Sequence, residues 1–284
     1  MDTPRPYMKI SLFVAALAAV FVAAAAVGSL VEPAETEEKG MEETMEAHTS
    51  DHEPAGLGVA AGGYAVRFAP TQFERGEAGE LRFAIESPAG AVTGFDELHE
   101  RRMHLIVVRR DGTEFRHLHP GMDAAGTWSV PVRFAESGVY RAFADFSVEG
   151  EQHTLAGDLF VSGGEFESRP FPAAEEVDSA DGYDVHLEAG DLAAGEHSEL
   201  SFAVSEVSRP VEDLQPYLGA KGHLVALRDG DLAFLHVHPE ETEGAPSEID
   251  FDATFPTAGR YRLYLQFKHE GVVHTVEFTV EVPR

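Results

Sequence analysis

Cysteine is absent from these 284 residues. That excludes disulfides, thiolate metal sites, a cysteine nucleophile and lipidation on cysteine. A blue-copper electron-transfer centre goes with them, because its copper needs a thiolate. Lysine is nearly as scarce, with four residues (Lys9, Lys39, Lys221 and Lys268). Positive charge is short overall: 50 Asp and Glu face 21 Lys and Arg, a formal net charge of -29. Nucleic acid binding needs a positive surface for the phosphates, so no nucleic acid partner is expected. An anionic lipid surface is disfavoured in the same way, apart from an inserted segment. Catalytic signatures are missing too. The chain has no serine-centred elbow, glycine-rich phosphate loop or HExxH, and the expectation is that it is not an enzyme.

What is present supports a folded core. Apolar residues make up 43% of the chain, with 19 Phe and 7 Tyr, and the length suits one large domain or two ordinary ones. Ile10 to Val31 is an apolar run preceded by Arg5 and Lys9 and followed by Glu32, Glu35, Glu37 and Glu38. Such a run is long enough to cross a bilayer, and the flanking charges put the remainder of the chain outside the cytoplasm. Residues 1–31 are therefore expected to be an uncleaved signal anchor or a cleaved signal peptide, with small residues at Ala23 to Ala26 open to a peptidase. Any membrane contact is expected through this helix alone. Residues 32–62 are acidic and poor in large apolar residues, the composition of a disordered stalk. They hold Met41, Met45, His48 and His52, whose thioethers and imidazoles could act as weak auxiliary ligands for copper.

The rest is an internal repeat. MHLIVVRRDGTEFRHLHP (103–120) matches GHLVALRDGDLAFLHVHP (222–239), an offset of 119. SGVYRAFADFSVEGEQHT (137–154) matches AGRYRLYLQFKHEGVVHT (258–275), an offset of 121. Two motifs in the same order at a nearly constant offset mark a duplication. It divides the chain into a first domain at 63–162, a linker at 163–181 containing Pro170 and Pro172, and a second domain at 182–284. Alternating apolar patterns and Asp-Gly or Glu-Gly turns predict about seven short strands per unit. In the first unit they fall at Tyr64–Phe68, Glu80–Glu86, Met103–Arg109, Glu114–Leu118, Thr127–Phe134, Gly138–Ser147 and His153–Val161. The predicted fold is all-β: two tandem immunoglobulin-like or cupredoxin-like β-sandwich domains. Phe95–Arg101 and Val211–Leu218 are expected to form helical turns between strands.

Histidine carries the candidate chemistry. His117-Leu118-His119-Pro120 and His236-Val237-His238-Pro239 are copies of one motif. In a strand, residues i and i+2 share a face, so each pair presents two imidazoles together. His104 and His223 stand at equivalent places upstream, and His153 and His274 downstream. Each unit thus repeats a quartet that could gather at one end of its sandwich and hold one Cu(II) or Zn(II). Asp145 and Gln266 occupy matched positions and could orient a ligand. Phe115 and Phe234 share the face of their histidine pairs, so the alternative is a core face on which the histidines brace a loop. His99, His186, His197 and His269 lack counterparts in the other half and are expected to be incidental.

KGHLVALRDGDLAFLHVHP (221–239) resembles a motif in poorly characterised exported proteins of high-GC Gram-positive bacteria. The overall layout is similar to periplasmic sandwich domains associated with copper handling. That resemblance implies an extracytoplasmic location and copper as the ion. The functional expectation is an extracytoplasmic protein that binds or carries copper or zinc, and the alternative is a non-catalytic cell-surface interaction or structural module.

Overall fold

The computed structural model of the chain describes residues 54–235, 237–240 and 244–283, His238 by its backbone alone. The apolar run 10–31, most of the acidic stretch with Met41, Met45, His48 and His52, and His236 lie outside the described residues. Among the described residues no helix is long and apolar enough to cross a membrane.

All regular structure among the described residues is β, in four sheets. Two are built from residues 60–162. One runs Ala60–Ala61, Tyr64–Phe68, Ala78–Ser87, Thr127–Arg133, Gly121–Met122, with Gly90–Ala91 beside Ala78–Ser87. The other runs Gln72–Glu74, Glu151–Ser162, Gly138–Val148, His104–Arg109, Arg116–Leu118. The second half repeats this plan. One sheet runs Val177–Ala180, Tyr183–Ala189, His197–Glu206, Glu248–Thr254, His238–Pro239, with Arg209–Pro210 on its side. Its partner runs Phe234–Leu235, Gly222–Arg228, Gly259–His269, Val272–Val282.

Within each half the two sheets face each other across a core. Leu81, Phe83 and Trp128 from one sheet meet Leu105, Val107, Ala144 and Phe146 from the other. In the second half Leu200, Phe202 and Phe251 meet Leu224, Ala226, Leu265 and Phe267. Each of the larger apolar side chains contributes about 1.5–3 kcal/mol through burial.

A third core joins the halves. Strand His104–Arg109 is buried at every position. Side chains alternate along a strand, so Leu105 and Val107 point into the first core while Ile106 and Val108 point the other way. A strand buried on both faces reads as an unbroken apolar run, as LIVV (105–108) does between His104 and Arg109. The outward residues Ile106, Val108, Phe143 and Ala156 pack with Val225, Leu227, Phe234 and Tyr264. Phe115 stacks on Tyr264 with ring centres 4.1 Å apart and planes at 9°, and Phe234 meets Phe143 at 5.6 Å. Phe115 is the repeat counterpart of Phe234, and Phe143 that of Tyr264. The contact is therefore reciprocal, the pattern of a two-fold interface within one chain. The Tyr264 hydroxyl crosses the seam to donate to the Gly112 carbonyl at 2.7 Å.

Two local features differ from expectation. The acidic stretch was expected to remain outside the fold through Gly62, yet its end joins the fold. Phe234 donates its N–H to the Ala55 carbonyl at 2.9 Å, and Arg141 Nε donates to the Gly56 carbonyl at 3.0 Å. Gly56 lies at φ 71, where an added Cβ would come within 2.7 Å of the Phe143 ring, so only glycine passes here. Phe95–Arg101 and Val211–Leu218 are not helical. Leu98 and Arg101 exchange backbone hydrogen bonds of 2.7 and 3.0 Å around a tight turn with His99 and Glu100 at positive φ. Tyr217 and Ala220 close the equivalent turn around Leu218 and Gly219.

Candidate functional site

The outward faces that form the third core also carry histidine at one end. His104 pairs across its sheet with Asp145, and His223 pairs with Gln266 in the same register of the second half. Directly opposed residues share a face, so all four point to the seam. His117 lies opposite Ile106 on the edge strand and shares that face.

The rings meet in a chain that crosses from one half to the other. His104 Nε2 donates to the Leu98 carbonyl at 2.8 Å, and His104 Nδ1 lies 2.9 Å from His117 Nε2. His117 Nδ1 reaches Gln266 Oε1 of the second half at 2.7 Å. The His223 ring centre is 4.5 Å from that of His117 and 5.6 Å from that of His104, nearly parallel to the latter at 13°. One ring nitrogen each from His104, His117 and His223 lie within 4.8 Å of one another, a buried three-histidine cluster able to coordinate a metal ion. The His119 ring stands 4.7 Å from His117 and 5.3 Å from His104. His119 Nε2 and His223 Nδ1 are buried with no hydrogen-bond partner.

The environment holds these rings neutral. Burial lowers the pKa of His104, against the Leu98 carbonyl and the Asp145 carboxylate, which raise it. His117 is pushed well below the usual imidazole range by burial and then by the rings of His223, His104 and His119. His223 is depressed as strongly, by burial and then by His104, His99 and His119. Burial, with His104 and Arg101, brings His119 down to about 4. Neutral imidazoles offer lone pairs to hydrogen or to metal. Beside the rings is a cavity of about 90 Å³ lined by His99, His104, His223, Asp145, Gln152 and Phe234.

The two expected quartets are distributed differently in space. His104, His117 and His119 of the first half gather with His223 of the second, at the junction of the halves. His153 and His274 face the inner cores, because each is paired across its hairpin with Phe146 or Phe267, one residue out of phase with Asp145 and Gln266. His153 packs between Tyr64 at 4.7 Å and Phe146 at 5.5 Å. His274 repeats this with Tyr183 at 4.5 Å and Phe267 at 5.3 Å, and its Nδ1 meets Asp181 at 2.9 Å. Asp145 accepts from Thr154 Oγ1 at 2.9 Å and borders the cavity. The side chains of His236 and His238 lie outside the described residues. Two histidines expected to be incidental are built into the fold. His99, on its left-handed turn, places its ring 5.8 Å from His223. His269 is buried, with Nδ1 at 2.7 Å from the Tyr183 hydroxyl and Nε2 at 3.0 Å from Asp213. The signal for His99 was its place in the tight turn just before His104.

A model of a protein family described as a domain of unknown function (DUF8832) matches residues 59–163 and again 176–284. No curated protein matches the chain. Among solved structures, the chain is similar to a DUF4426 family protein from Pseudomonas aeruginosa. The identity is 14% over 38% of this chain and 96% of that one, with a TM-score of 0.28. It is also similar to the Escherichia coli adhesin FdeC, at 14% identity over 79% of this chain and 65% of that one, TM-score 0.27. InvD of Yersinia pseudotuberculosis aligns at 11% identity over 78% and 58%, TM-score 0.27. Likeness at this level carries no argument about function.

Proposed function

We propose, for a chain that belongs to the DUF8832 family of unknown function, that it is an extracytoplasmic, non-catalytic interaction or structural module whose buried histidines brace the junction of its two halves. The observation that carries this is the chain of contacts Leu98 carbonyl, His104, His117, Gln266, which links the two sheets that meet at the seam. His104 Nε2 and His117 Nδ1 are engaged with protein oxygens, and burial keeps the rings uncharged beside an apolar core. The halves are immunoglobulin-like sandwiches in this reading, held outside the cytoplasm or released there by the apolar run 10–31, whose flanking charges support export. The test is a double-mutant cycle between His117 and Gln266 in metal-free protein, with a coupling of about 1 kcal/mol expected.

A second reading is favoured by the convergence of three imidazole nitrogens within 4.8 Å. The cluster then holds a copper or zinc ion, and the module binds or carries that metal outside the cytoplasm. Imidazole nitrogen suits both ions.

A further inference from the structure

We infer that a single late first-row transition-metal ion binds per chain at the seam, held jointly by His104 and His117 of the first half and His223 of the second. This rests on the metal reading of the cluster and deepens it. The expectation of one ion per half becomes one ion between the halves.

The partners of the ring nitrogens fix where the hydrogens sit. His104 Nε2 meets the Leu98 carbonyl at 2.8 Å, and a carbonyl only accepts, so Nε2 carries the hydrogen. A neutral imidazole has one N–H, which leaves His104 Nδ1 bare. His117 Nδ1 meets Gln266 Oε1 at 2.7 Å. The amide nitrogen of Gln266 faces Thr275 Oγ1 at 3.2 Å and its oxygen faces His117. With the amide in this orientation His117 Nδ1 is the donor, and His117 Nε2 is bare as well. The two bare nitrogens face each other at 2.9 Å. Lone pairs at that distance repel, and a positive centre between them relieves the repulsion. A proton there would charge an imidazole against burial and three neighbouring rings. A metal ion accepts both lone pairs and leaves both imidazoles neutral.

Other features fit the ion. His223 brings a buried Nδ1 that has no partner. Leu98 and Gln266 hold the far nitrogens of His104 and His117, as carbonyl acceptors orient metal-bound imidazoles elsewhere. Bonds of about 2.0–2.1 Å in a tetrahedral site put two nitrogens roughly 3.3 Å apart, so the facing pair needs to open by only about 0.4 Å. The Asp145 carboxylate borders the adjoining cavity and favours positive charge there. That cavity of about 90 Å³ leaves room for a water or small anion as fourth ligand.

The experiment is calorimetry and native mass spectrometry on the full chain, stripped of metal and titrated with Zn²⁺ and with Cu²⁺. One tight equivalent per chain is expected. His104→Gln and His223→Gln should each weaken it at least 100-fold, although the two residues belong to different halves. Gln266→Glu keeps an acceptor opposite His117 Nδ1 and should retain the equivalent. A variant with Met41, Met45, His48 and His52 all changed to Ala should retain it too. Should either histidine variant fail to fold, Co²⁺ added to the unaltered protein decides. The intense visible absorption of a four-coordinate nitrogen site is expected, and a weak octahedral spectrum overturns the inference. It is equally overturned by two equivalents each sensitive to one half, by an equivalent lost only in the quadruple variant, or by no binding tighter than roughly millimolar. Absent binding with the His117–Gln266 coupling intact removes the ion and leaves the brace standing. Intact binding without that coupling does the reverse.

Discussion

Lowering the pH from 7.5 to 5 should destabilise the metal-free protein through its buried histidines, and His119 allows the size of the effect to be worked out. Its ring is held down to about 4, chiefly by burial and then by His104 and Arg101. In the unfolded chain the same ring takes its proton near 6.5. Between these values the unfolded state binds the extra proton, so stability is full above about 6.5 and falls as the pH drops towards 4. By pH 5 the ideal loss is about 2 kcal/mol. The ring is partly exposed, and solvent screening reduces this to about 1 kcal/mol. The assay is urea unfolding followed by the fluorescence of Trp128, the sole tryptophan and buried in the first core. His119→Gln is compared with the unaltered protein at both pH values. His104, His117 and His223 shift in the same direction and remain in both proteins, so the difference reports His119 together with the share of the His117 and His223 shifts that its ring causes. The variant should lose about 1 kcal/mol less between pH 7.5 and 5. An identical pH dependence in the two proteins would refute the claim that this imidazole is held neutral.

Two further substitutions probe the seam and its linker. Asp111 accepts from Arg109 Nε at 2.9 Å, from Thr113 Oγ1 at 2.7 Å and from the Arg169 N–H at 2.9 Å, and these bonds outweigh its burial to hold its carboxyl at about 2. Asp111→Asn strands a buried guanidinium and loosens the linker at Arg169; it should cost about 3 kcal/mol or more, read by thermal unfolding. Tyr264→Phe keeps the stack on Phe115 but removes the donor to the Gly112 carbonyl, and should cost about 1–3 kcal/mol in chemical unfolding.

Much of the strand plan was legible because side-chain alternation has a period of two. VYRAFADF predicts a strand, and Gly138–Val148 is one. Tyr64–Phe68 was bounded by turn residues on both sides and has the expected limits. The repeat motifs likewise matched His104 with His223 and Asp145 with Gln266, and the structure sets each histidine opposite its partner in the same register. The seam was less legible. LIVV (105–108) is apolar at every position, and nothing in such a run says which face meets the partner sheet and which meets the other half. That ambiguity is why each quartet was assigned to its own sandwich. Phe115 and Phe234 held the clue: two large aromatics on the histidine face mark a surface that must be covered. His153 was separated from His104 by register, since its partner Phe146 is one residue beyond Asp145 and a single step reverses the face. The turn at His99 and Glu100 was read as helical because its two left-handed residues carry no glycine to announce it.

The central claim is that histidines from the first half are energetically joined to the second. The most direct measurement is the double-mutant cycle of His117→Ala and Gln266→Ala, by urea unfolding of metal-free protein at pH 7.5. The two side chains are 149 residues apart in sequence and 2.7 Å apart in space. The account predicts that the double change costs less than the sum of the single changes by about 1 kcal/mol, because each single change already breaks the one bond they share. Strict additivity of the two costs would contradict it.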